Sequence, residues 1–324
     1  MISKTAVLLL STGLFAGAAN AASTRLVIDD DQYADQVSTN AVKFLQAGKL
    51  VSTDVLRAQI HHKSFAIPLP PVSENKLEAT EVYQRLLNST LTVGDLYKCP
   101  ECGEWHFNGS AGFVIAEGGI VSTCCHVVAA EDKEVTESYL VAADAAGRVY
   151  PVRGIVAADP EADTCILKLD APGLKPLALR PAARVGERVF CLSHPGGYYF
   201  MFTEGMVARV NLKQNEMLDE RGKTNGILGR PILFLNVTAE FAPGSSGAPI
   251  VDECGNVLAQ VASIADAGEP PEGADENAPA SPSVPVRFCT ASEELLKLTH
   301  QPLAHYPKPE PRQSKADNHK QKRY

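Results

Sequence analysis

From about Thr90 onward the chain is written in short apolar runs, rich in Val and Ile, each closed by Gly, Pro or Asp. Examples are Ala111–Ala116, Gly119–Thr123, Tyr139–Ala142, Val149–Val156, Thr164–Leu169, Arg188–Leu192, Ile232–Val237, Ala248–Val251 and Val257–Val261. Many short strands divided by turn signals predict an all-β architecture, either a sandwich or a pair of barrels. With aromatic residues at only 6%, the core of such a structure must rest on Val, Ile, Leu and Ala. The stretch Asp266–Pro285, rich in Pro, Ala, Gly and acid, reads as a long surface loop, and Ser292–Leu298 as one closing helix.

The segments on either side have a different texture. Lys4, an apolar stretch from Ala6 to Ala19 and the small residues Ala19-Asn20-Ala21 have the layout of a secretory signal cut before Ala22. The apolar stretch is short for a membrane span, which needs about 20 residues, so no stable membrane insertion is expected. Residues 22–87 read as a helical extension: Asp29-Asp30-Asp31 caps a helix carrying Val37, Ala41, Phe44 and Leu45, and Leu77, Val82, Leu86 and Leu87 mark a second. After Gln301 the chain is Pro-rich and then basic, the composition of a disordered tail (301–324). The net charge of −8 repels phosphate backbones and argues against nucleic acid as a partner.

Three local patterns carry chemistry. A hairpin, Gly112-Phe113-Val114-Ile115 and then Ile120-Val121-Ser122-Thr123-Cys124-Cys125-His126, delivers a His at the end of its second strand. Asp163 stands just ahead of the strand Thr164–Leu169, with Asp159 as the competing acid. Ser246 sits in the glycine-rich bend Pro243-Gly244-Ser245-Ser246-Gly247, which leads into Ala248–Val251. A Ser hydroxyl is a poor nucleophile until an imidazole takes its proton, and the imidazole needs a carboxylate to fix its tautomer. Glycines around the Ser free backbone N–H groups for a developing oxyanion, and the N–H groups of Gly244 and Ser246 are the expected donors. Each donor of this kind is worth roughly 3–4 kcal/mol of barrier. Ser245 lacks the Gly-x-Ser-Gly frame, and His194, before Pro195-Gly196-Gly197, reads as a loop residue.

These blocks resemble the trypsin-like serine proteases, most of all the bacterial Deg/Htr-type branch. The resemblance extends to Gly186–Gly197, to Thr203-Glu204-Gly205-Met206-Val207 and to Gly255-Asn256-Val257-Leu258-Ala259, and spans roughly residues 88–300. It implies two six-stranded antiparallel β-barrels and the catalytic triad His126, Asp163 and Ser246. The implied activity is an exported, periplasmic or secreted, serine endopeptidase. It would act on polypeptides through an acyl-enzyme, with a role in protein quality control, and no cofactor is implied. A catalytically idle relative that binds peptides through the same cleft is the other reading. Ser245 stands where digestive trypsins carry an Asp, so activation by a freed N-terminal amine is not expected. No PDZ-type domain is expected after residue 300. The resemblance puts the residue six before the nucleophile, Glu240, at the floor of the substrate pocket. Either Glu240 accepts a basic side chain there, or Phe241 walls a small apolar pocket.

Eight cysteines remain: Cys99, Cys102, Cys124, Cys125, Cys165, Cys191, Cys254 and Cys289. Export permits disulfides, and Cys99-Pro100-Glu101-Cys102 is expected to brace the approach to the first barrel, with Cys124 or Cys125 as a possible partner. A zinc knuckle with His106 is the alternative; without a second Cys pair at matching spacing, no metal is expected. His61-His62 reads as an exposed pair, and Asn88-Ser89-Thr90 as a glycosylation sequon only in a eukaryotic source.

Overall fold

The computed structural model describes residues 26–61, 63–130, 134–218, 224–267 and 284–300. The signal segment, the basic tail, His62 and most of the acidic Pro-rich stretch lie outside the described residues. Among the described residues twelve strands close into two antiparallel barrels. The first comprises β1 (Thr90–Lys98), β2 (Trp105–Ala116), β3 (Ile120–Thr123), β4 (Ser138–Ala143), β5 (Val149–Asp159) and β6 (Thr164–Leu169). Its order is β1-β2-β3-β6-β5-β4, closed by β1 on β4 with Thr92 opposite Ala143. The second comprises β7 (Arg188–Ser193), β8 (Met201–Leu218), β9 (Thr224–Val237), β10 (Pro249–Val251), β11 (Val257–Ala267) and β12 (Val284–Ala291). Its order is β10-β11-β12-β9-β8-β7, closed by Ile250 opposite Cys191.

Inward-facing aliphatic residues fill each barrel. Val93, Val114, Val121, Leu140, Val152 and Leu167 occupy the first, and Val189, Val207, Leu235, Ile250 and Leu258 the second. Each such side chain contributes about 1.5–3 kcal/mol on leaving water. Closure also removes the free strand edges an open sheet would expose.

Strand β1 is absent from the runs picked out above because both of its faces are buried. Thr90 and Thr92 are as inaccessible as Leu91 and Val93, so alternation of polar and apolar residues, the usual strand signal, is missing. The Thr92 hydroxyl meets Tyr33 Oη at 2.9 Å. Strand β12 was hidden by Pro285, which pairs opposite Asp266 at the start of the strand, where a missing donor is tolerated.

The helical extension is packed into the barrels. Helix α1 (Asp30–Gln46) starts at Asp29, whose carboxylate accepts the Gln32 N–H at 3.0 Å. It buries Tyr33, Val37 and Ala41. A short α2 (Thr53–Arg57) follows, then α3 (Ala79–Leu87), which opens with a reciprocal Glu78–Glu81 capping box and buries Val82 and Leu86. Between them the chain laces across the second barrel: Phe65 N–H donates to Leu298 O (2.9 Å) and Leu77 N–H to Glu253 O (2.8 Å). A fourth helix, α4 (Cys125–Ala129), follows β3, and α5 (Ser292–Leu298) closes the described chain. His126 therefore lies in the first turn of α4, three residues beyond Thr123 where β3 ends, and not at the end of the strand itself. No helix of the described residues is long and apolar enough to cross a membrane.

Candidate active site

The first barrel supplies an imidazole and a carboxylate. Asp163 holds His126 at two points: Oδ1 accepts the His126 backbone N–H at 2.9 Å, and Oδ2 lies 2.6 Å from ring Nδ1. With the neutral ring's proton assigned to Nδ1 by this contact, Nε2 is left as an acceptor. The same hydrogen bond raises the pKa of His126 above its ordinary value, against the opposing effect of burial. Asp163 adopts a left-handed backbone (φ +52°), a conformation Asp tolerates better than most residues. Asp159 fixes that turn. One of its oxygens caps the N–H groups of Glu161 (3.1 Å) and Ala162 (3.2 Å), and the other pairs with Arg230. Asp159 is buried and fully engaged, so the carboxylate on His126 is that of Asp163.

The second barrel supplies the serine bend. Ala111 N–H donates to Ser246 O at 2.9 Å, and Gly247 N–H to Val261 O at 2.8 Å. A Cβ on Gly247 (φ +88°) would run into Ala111 O and Thr123 Oγ1. Only glycine lets the bend dock this closely, three residues from His126. The barrels are joined here by Ser122 Oγ donating to Gln260 Oε1 (2.6 Å) and Cys124 Sγ to Val261 O (3.2 Å). Ser245 points inward: it is fully buried and donates to Ser193 Oγ at 3.1 Å. Ser246 is partly exposed and lines the cleft. Among the described residues no hydrogen bond joins Ser246 Oγ to His126; such contacts are often long before substrate arrives.

The N–H groups of Gly244 and Ser246 donate to no acceptor among the described residues. Gly244 has φ +94°, and a Cβ there would lie 2.5 Å from His194 O. Gly196 N–H donates to Pro243 O at 2.7 Å, so the turn after β7 backs the serine bend. His194 lies in the loop that follows β7, as its sequence setting implied, yet it is not a solvent-facing loop residue. Its ring is wholly buried, with Nε2 3.2 Å from Leu91 O and Nδ1 accepting the Phe200 N–H at 3.0 Å. Burial lowers its pKa to about 4. It is a neutral strut under the bend, a role invisible without the packing around it.

Beside Ser246 lies a cavity of about 190 Å³ walled by Phe241, Ala242, Val261, Ala262 and Ile264. Glu240 is not among its lining residues; its side chain is exposed and its carbonyl accepts Thr203 Oγ1 at 2.8 Å. Phe241 is held by its carbonyl and by Arg287, whose guanidinium stands 5.8 Å from the ring centre.

All eight cysteines are free thiols. Cys124 and Cys125 are buried within the first barrel while Cys99 and Cys102 lie at the solvent-facing tip of the β1–β2 hairpin, so the expected pairing between these two sets is not present. Cys124, His126 and Asp163 offer ligand atoms within 4.8 Å of one another. Burial pushes the Cys124 thiol well above its ordinary pKa, however, and His126 Nδ1 is already committed to Asp163. A second cluster within the same distance is Cys99, Cys102 and His106.

Comparison with known proteins supports the same reading. Residues 109–259 match the family model of the trypsin-like peptidase domain. The chain is 30% identical over 173 residues to Protease Do-like 5, chloroplastic, of Arabidopsis thaliana, covering 51% of this chain and 50% of that one. It is 28% identical over 152 residues to a probable periplasmic serine endoprotease DegP-like of Halomonas elongata (46% and 28% covered). Against serine protease HTRA1B of Danio rerio it is 28% identical over 151 residues (46% and 29% covered). It thus spans half or less of the length of these relatives. A solved HtrA-type protease, AlgW with a decapeptide, is similar at 17% identity and TM-score 0.47, covering 69% of this chain and 67% of that one. Residues 109–259 thus resemble the trypsin-like peptidase domain, and about half of the chain is similar to serine proteases of the Deg/HtrA type.

Proposed function

We propose that the protein is an exported serine endopeptidase in which Ser246 is the nucleophile, His126 its base and Asp163 the group that orients the base. The observation that carries this reading is the two-point grip of Asp163 on His126, which leaves Nε2 as the free acceptor of the ring. In the reaction, Nε2 takes the Ser246 Oγ proton as the oxygen attacks the scissile carbonyl. The tetrahedral oxyanion forms at the unpaired N–H groups of Gly244 and Ser246, and the proton then passes to the leaving amine. Water repeats the sequence on the acyl-enzyme. The signal-like residues 1–21 support export to a periplasm or exterior, where unfolded polypeptides are the fitting substrates.

The cavity supports a preference for a small aliphatic residue on the acyl side of the cleaved bond, since its lining is mostly apolar and contains no charged residue to pair with a charged side chain. A peptide-library cleavage profile tests this. Cleavage after Val, Ala or Ile, unchanged in Glu240→Gln, is the expected result; cleavage mainly after Arg or Lys, lost in that variant, would overturn the pocket assignment.

A further inference from the structure

The tip of the β1–β2 hairpin holds a cluster that the proteolytic reading leaves unused. The β1–β2 pairing ends at Lys98 opposite Trp105, and six residues close the turn. Backbone hydrogen bonds hold that turn closed. Cys99 N–H donates to Glu104 O at 2.9 Å and Gly103 N–H to Cys99 O at 3.0 Å, with Gly103 left-handed at φ +74°. His106, the second residue of β2, brings Nε2 to 3.2 Å from Cys102 Sγ, and its ring lies 5.9 Å from that of its cross-strand partner Tyr97. The two sulfurs and the imidazole nitrogen all fall within 4.8 Å of one another.

We propose that Cys99, Cys102 and His106 bind a zinc ion, with the fourth position of the tetrahedron open to water. Zinc–sulfur bonds of about 2.3 Å and zinc–nitrogen bonds of about 2.0–2.1 Å place the ligand atoms of a tetrahedral site roughly 3.5–3.8 Å apart. The ligand atoms already lie within 4.8 Å of one another, about 1 Å beyond that spacing at most. Two thiolates and an imidazole form a donor set suited to zinc. A Cys99–Cys102 disulfide would explain the spacing of the two cysteines, but it gives no role to His106, whose ring nitrogen is aimed at the same point. Each thiol releases its proton on binding the metal. The ion would tie the turn to β2 at the solvent end of a hairpin whose other end, through Ala111, supports the Ser246 bend. Its contribution is to stability, with the chemistry left to the cleft.

The test uses the full chain, reduced and purified without chelator. Elemental analysis is expected to find about one zinc per chain. Cobalt substitution is expected to give the thiolate charge-transfer absorption and the intense visible bands of a tetrahedral site. Both signals should be lost in Cys102→Ser and His106→Ala and retained in Cys254→Ser, which alters a cysteine remote from the hairpin. Adding zinc to the stripped parent is expected to raise its melting temperature, and to leave the melting temperature of His106→Ala unchanged. A reduced, folded parent that binds no stoichiometric zinc would overturn the proposal, as would undiminished zinc in the His106→Ala and Cys102→Ser variants. So would finding Cys99 and Cys102 joined as a disulfide in a native protein that stays metal-free after reduction.

Discussion

At the scale of single residues, the Asp163–His126 contact makes a signed claim about pH. The base works only when neutral. Asp163 stabilises the protonated ring and so raises its pKa above 6.5. Activity should therefore fall on the acid side with a midpoint above 6.5, read as the lower limb of the kcat/KM profile. Asp163→Asn removes the stabilising charge and favours the other tautomer. The limb should move to lower pH and kcat should drop by about 10⁴-fold. A limb that stays in place in Asp163→Asn would mean that some other group sets it. The cysteines beside the site do not compete as nucleophiles. Cys124 and Cys165 are held as thiols by pKa values pushed well above normal: by burial for Cys124, and for Cys165 first by its hydrogen bond to Cys125 and then by burial.

At the scale of elements, the turn that presents Asp163 is held from the other barrel. Arg230 on β9 pairs with Asp159 and, at 2.6 Å, with Glu294 on α5; both carboxylates are almost wholly buried. Thr290 Oγ1 on β12 donates to Ala162 O at 3.1 Å. Arg230→Met leaves two buried carboxylates short of a partner, a change that costs about 3–5 kcal/mol. Lys297, 2.8 Å from Glu294, remains to compensate in part. The variant should unfold at markedly lower denaturant and show reduced kcat from a loosened Asp163; unchanged unfolding would show that the network carries little stability. None of this was legible in the sequence, because Arg230, Asp159 and Glu294 are 64 or more residues apart and carry no local pattern. The blocks that carry His126, Asp163 and Ser246 were legible because each sits in a short local signal: a hairpin before His126, a turn before Asp163, glycines around Ser246. The same locality explains what was missed. Strand β1 hid its period behind buried Thr90 and Thr92, and the burial of His194 within its loop was hidden because it lies in long-range contacts.

At the scale of the whole molecule, α1 unites the two barrels. Tyr33 is hydrogen-bonded to Thr92 and Asp144 in the first barrel (2.9 and 3.0 Å), and its ring packs on Tyr199 and Phe200 ahead of β8 in the second. Asp30 accepts the Tyr199 N–H at 2.9 Å. Phe200 in turn covers His194, with rings 4.7 Å apart, and His194 supports Gly244. Tyr33→Ala should cost about 3–5 kcal/mol, whereas Tyr33→Phe, which loses only the hydroxyl, should cost about 1–3 kcal/mol. Chemical unfolding of the two variants separates packing from hydrogen bonding. The proposed function has the whole assembly of barrels present one activated hydroxyl, so the most direct measurement is reaction of the folded protein with a fluorophosphonate, read by intact mass and peptide mapping. A single adduct on Ser246, absent from Ser246→Ala and from His126→Ala, is the predicted result; a folded parent that takes up no probe, or takes it up elsewhere, would contradict it.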